Sequence, residues 1–117
     1  MSELKPSPKF NDALGYLETI DKLIKKFHES MFERHWDDAV ILLCSLQAES
    51  WPRINDHKGS IDFDELKRKA NSSISAKNQA RIKIDLFNWF TNLNVCIHAA
   101  GLRMTDKTDI IDVMQNE

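Results

Sequence analysis

The sequence is poor in the residues that build turns. Its 117 positions hold three glycines and three prolines, and two of the prolines fall in the first eight residues. A many-stranded β fold needs turn residues roughly every 8–12 positions. That scarcity excludes such a fold and leaves a few long helices. Cysteine is also scarce. Cys44 and Cys96 each sit inside an apolar run, where a thiol packs as a small hydrophobe, and nothing resembles the cysteine framework of a secreted domain. Net charge is nearly absent at −2, so no global field recruits nucleic acid or an acidic membrane. Long uninterrupted apolar runs are missing too, because Lys, Asp, Asn or Arg breaks each candidate span. The opening MSELKPSPKFND lacks the apolar core of a signal peptide, so the cytoplasm is the expected location. On the same ground, Asn71-Ser72-Ser73 is not read as a glycosylation acceptor.

What is present is apolar residues at helical period. The chain is 42% hydrophobic and 29% charged, which suits a folded domain, and its length suits one domain with its own core. The expected fold is all-α: an up-and-down bundle of about four helices with a short C-terminal helix. Residues 1–10 read as a flexible tail, 11–104 as the bundle, and 105–117 as the short helix and tail. Leu17, Ile20, Ile24, Phe27 and Met31 recur with 3-4-3-4 spacing after a start at Ser7-Pro8 or Asn11. Residues 33–38 hold the turn into a second helix, which Trp51-Pro52 and then Asn55 to Ser60 are expected to close. A third begins at Asp62, with Glu65 at capping-box spacing, and weakens across residues 71–75. A fourth runs from about Ala76 to Ala100, with Gly101 as its left-handed cap.

The fourth helix carries the most information. Ile82, Leu86, Phe90, Leu93 and Ile97 form one stripe, and Ile84, Phe87, Trp89 and Val95 occupy much of the remaining circumference. A helix apolar nearly all round is either enclosed by its own bundle or shared with a partner. Phe87, Trp89, Phe90, Leu93 and Val95 are the expected interface of a two-fold dimer; cover by the first hairpin and the C-terminal segment is the competing account.

A second feature is a run of charge. From Leu66 to Ile84 there are six basic residues and no acid. Lys67, Arg68, Lys69, Lys77, Arg81 and Lys83, with Ser73 and Ser75 beside them, are candidate contacts to an anion or a nucleic-acid backbone. A solvated face accounts for the same run.

Two local resemblances are short. Gly59-Ser60-Ile61-Asp62-Phe63-Asp64-Glu65 resembles the second half of an EF-hand loop, but Ile54 and Lys58 stand where oxygen ligands belong. A turn followed by a capped helix uses Gly59, Asp62 and Glu65 equally well. Trp36-Asp37-Asp38-Ala39 resembles the helix start of a tetratricopeptide repeat, but no second copy follows at a fixed period. His28, His35, His57 and His98 form no metal-ligand or catalytic pattern: position 32 is Phe where HExxH needs His, and Arg53 and His57 are too close for a HEPN-type nuclease pair. No catalytic residue, metal or cofactor is assigned. The expected role is a non-enzymatic protein-interaction module, an adaptor or regulatory subunit, that self-associates through its apolar fourth helix. The alternative is a small nucleic-acid-binding regulator using segment 67–83.

Overall fold

A computed structural model describes residues 8–103, with side chains from residue 15 onward. It is an all-α bundle. Helix α1 spans Pro8–Phe32, α2 Trp36–Ile54, α3 Phe63–Ser75 and α4 Gln79–Ala99, with a 3-10 turn at Asn55–His57 after α2. The expected C-terminal helix lies outside the described residues. Helix α1 packs on α2, α3 packs on α4, and α2 meets α4. Cross-contacts fix the directions. Trp36 at the start of α2 bonds Gln79 at the start of α4, and Trp51 near the end of α2 meets Phe63 at the start of α3. Successive helices therefore alternate up and down, and α2 and α4 run parallel.

Each boundary has a local cause. Pro8 opens α1 at a position where its missing N–H costs nothing. Helix α2 passes through Pro52 and ends at the fully buried Ile54, where the expected Asn55–Ser60 closure begins and the Asn55 N–H returns to the Trp51 carbonyl. Asp62 caps α3, its carboxylate accepting from the Glu65 N–H at 3.1 Å. The serine-rich stretch at 71–75 stays helical rather than breaking, because the Ser73 hydroxyl turns inward and donates to the Lys69 carbonyl at 3.0 Å. Helix α4 starts three residues later than expected. Lys77 takes a left-handed φ of 54°, and the Asn78 side chain caps the Arg81 N–H at 3.2 Å.

Three helix ends share one hydrogen-bond pattern, the paired closure of a Schellman motif. After α1, Arg34 N–H bonds Met31 and His35 N–H bonds Ser30; after α3, Lys77 bonds Ile74 and Asn78 bonds Ser73; after α4, Gly101 bonds His98 and Leu102 bonds Ile97. The left-handed residue is Gly101 in the last case but Arg34 and Lys77 in the first two.

The core runs along the axis between the helices. All five residues of the α1 stripe and all five of the α4 stripe are buried. Phe27 stacks on Phe90 with centroids 4.7 Å apart and meets Phe87 edge-on at 6.0 Å. Trp89 is 0% exposed, and its Nε1–H donates to Gln47 Oε1 at 2.9 Å. At the far end of α1, the Tyr16 hydroxyl donates to the Glu49 carbonyl and Arg53 lies over its ring at 4.1 Å.

Burial raises the Tyr16 phenol above the usual tyrosine range, with Arg53 opposing part of the effect. A raised folded value means the stabilisation is whole below the ordinary tyrosine value and is lost as pH climbs through the folded one. Tyr16 is the sole tyrosine. Its phenolate absorbance should titrate above the value of the urea-unfolded chain. Tyr16→Phe should flatten the alkaline fall in stability; an unchanged fall would dissociate it from Tyr16.

Candidate functional site

The basic segment does not form one surface. Arg68 bonds Glu65, a contact that also raises the Arg68 pKa, and Lys69 lies 3.8 Å from the same carboxylate. Arg81 pairs with Asp85 at 3.1 Å. Ser73 is buried, and its one hydroxyl proton is shared between the Lys69 carbonyl and Asp85 Oδ2, so it offers nothing to an external anion. Lys67, Lys77 and Lys83 have no carboxylate partner among the described residues, and Ser75 is exposed beside the α3–α4 turn. Lys67 faces the groove between α2 and α3, whereas Lys83 lines a separate cleft by α1. The helical period has dispersed what is contiguous in sequence.

Asp85 is the residue that reasoning from sequence passed over. It is 4% exposed and joins α3 to α4 through Ser73 while holding Arg81 one turn back. The Arg81–Asp85 spacing was the available signal. Nothing in the sequence marks Ser73 as the second partner, because that contact exists only once the two helices pack.

The interface expectation divides. Trp89, Phe90 and Leu93 are buried by the chain itself, so they are core residues and present no surface to a partner. The reason is angular. At 100° per residue, these positions share the arc of Ile82, Leu86 and Ile97. Val95 remains 58% exposed and Phe87 is half-buried; Ile84, 55% exposed, joins them. Ile84, Asn88, Thr91, Val95 and His98 follow a 4-3-4-3 spacing along the outer face of α4, and all five are exposed. No Asp, Glu, Lys or Arg occurs between Leu86 and Leu102. An exposed helical face four turns long without a charged side chain departs from the usual solvated surface. Asn92 bonds Asn88 at 2.8 Å on one flank, and Arg103 bonds Asn94 at 2.6 Å near the C-terminal end.

Two concavities flank this helix. The larger, about 800 Å³, lies between α2 and α3 and is lined by Cys44, Gln47, Trp51, Asp62, Phe63, Asp64 and Lys67 among others. The other, about 620 Å³, lies where α1, α2 and α4 meet and is lined by Phe32, Arg34, Trp36, Lys83 and Phe87 among others. The histidines are dispersed. His28 sits edge-on to Phe90 at 5.0 Å, His35 lies 3.3 Å from Glu33, the His57 carbonyl accepts from the Cys96 thiol, and His98 is on the outer face of α4. Asp62 and Glu65 of the EF-hand-like stretch are engaged in capping and in the Arg68 pair. Among the described residues no three His, Cys, Asp or Glu side chains gather where they could hold a metal ion. None of the described helices is long and apolar enough to cross a membrane. Both cysteines are thiols, and burial raises that of Cys96.

The chain matches no known family model, and neither a curated protein nor a solved structure is similar to it.

The Ser73–Asp85 pair is testable by a double-mutant cycle in urea. Asp85→Ala should cost about 1–3 kcal/mol, since it takes the carboxylate away from the buried Ser73 hydroxyl and from the exposed Arg81. Asp85→Ala and Ser73→Ala together should cost less than the sum of the singles by roughly 0.5 kcal/mol or more. Strict additivity would show that the hydroxyl and carboxylate do not cooperate.

Proposed function

We propose that this chain is a non-enzymatic interaction module that works as a homodimer, joined through the outer face of α4. The observation that carries the reading is the uncharged seam of Ile84, Asn88, Thr91, Val95 and His98. Its 4-3-4-3 spacing is the heptad period by which two helices interlock. An antiparallel two-fold pairing puts Thr91 on the axis, Ile84 opposite His98 and Asn88 opposite Val95, so each copy supplies the same patch. Antiparallel pairing also sets the helix dipoles head to tail. The 21 residues of α4 extend about 31 Å. The half-polar seam suits a regulatory or adaptor subunit, whose assembly responds to concentration, better than a permanent fused core.

The nucleic-acid reading built on residues 67–83 is weaker. Arg68, Lys69 and Arg81 are already paired, and Lys67 and Lys83 lie on different faces.

Light scattering on the eluting protein should give twice the 13.6 kDa chain mass at tens of micromolar. Ile84→Glu with Val95→Glu should give the single mass with helical circular dichroism unchanged, because both side chains are exposed. Trp89→Glu is not a probe of assembly; it should unfold the bundle. A wild-type monomer, or a dimer untouched by the paired glutamates, would overturn the reading.

A further inference from the structure

We propose that the cleft at the junction of α1, α2 and α4 binds a nucleobase carrying a phosphate. It borders the α4 face at Phe87, but its other lining residues lie off the seam, and the reading does not depend on dimerisation. Its volume, about 620 Å³, is that of a small-molecule site. Three aromatic side chains line it, Phe32, Trp36 and Phe87, together with two cations, Arg34 and Lys83; no Asp or Glu does. Aromatic walls select a flat ring, and unopposed cations select an anion. A phosphorylated nucleobase unites both in one molecule.

Three further observations converge on this end of the bundle. Phe32 is 90% exposed at the end of α1, where core packing gives no reason for a phenyl ring. Trp36 is half-buried, and its Nε1–H donates to Gln79 Oε1 at 3.1 Å, which holds the indole in place across the α2–α4 gap. Arg34 occupies a left-handed Schellman position with φ 60°, a conformation that side chains disfavour and glycine accepts freely. The equivalent position after α4 is Gly101. A cation at the C-terminus of α1 also favours the helix dipole, so the test must separate stability from binding. Arg34→Gly does so. It removes the charge and the backbone strain together.

The experiment titrates the full chain calorimetrically with adenosine monophosphate, with adenosine, and with a short single-stranded oligoadenylate. Saturable binding that weakens as salt rises is expected for a phosphate-bearing probe. Binding of the monophosphate assigns a free nucleotide; binding of the oligonucleotide alone assigns a strand, with the same ring and phosphate contacts. Phe32→Ala and Lys83→Glu should each weaken binding by roughly tenfold, the scale of one stacking or phosphate contact. Arg34→Gly should weaken it by about the same factor while raising the melting temperature. The proposal is overturned if neither phosphate-bearing probe binds, if adenosine binds as well as the monophosphate, or if the three variants bind like wild type.

Discussion

The structure depends on how the circumference of α4 is divided. Trp89 is the largest fully buried side chain, and it is admitted to the core because Gln47 accepts from its indole N–H. Without that acceptor, burial would leave a stranded donor. With it, the arc from Ile82 through Leu86, Trp89, Leu93 and Ile97 turns inward, and Phe90 extends that arc toward α1 by stacking on Phe27. On the opposite edge Asp85 is carried into the α3 contact, where Ser73 and Arg81 satisfy it. Once those positions are committed, rotation of the helix is fixed. Among the residues left outside are Ile84, Asn88, Thr91, Val95 and His98, none of them Asp, Glu, Lys or Arg, and the proposed pairing is built on that strip.

The two ends of the bundle solve helix termination differently. Where α4 ends, glycine takes the left-handed position and Leu102 buries beneath it. Where α1 and α3 end, Arg34 and Lys77 take that position. Both choices close the same carbonyls, but the second places cations at the end where the α4 N-terminus, Trp36 and Phe32 also lie. The charge there belongs to the turns and not to the contiguous basic run.

The class of fold was legible because it rests on period and composition. The 3-4-3-4 stripe of α1, the Asp62 cap, the Gly101 terminus and the inner stripe of α4 are each local signals, and all appear where the spacing puts them. What was not legible depends on packing. Ser73 reads as a free hydroxyl, yet its partner is twelve residues away on another helix. Trp89 reads as surplus, because sequence does not reveal that Gln47 faces it. The basic segment misled for a related reason: adjacency in a chain becomes divergence on a helix, and i,i+3 and i,i+4 carboxylates absorb half the charge. The cleft of Phe32, Arg34, Trp36, Lys83 and Phe87 draws on three elements, so no linear motif announces it.

Among the described residues the core closes within one chain while α4 keeps an uncharged heptad seam exposed, and the proposed pairing rests on that seam. The most direct test is an isotope-filtered nuclear Overhauser experiment on a mixture of labelled and unlabelled chains. The account predicts cross-chain contacts between the Thr91 methyl groups of the two copies and between Val95 and Asn88. Spectra in which Trp89–Gln47 contacts are present within the chain, while no cross-chain contact reaches Thr91 or Val95, would contradict it.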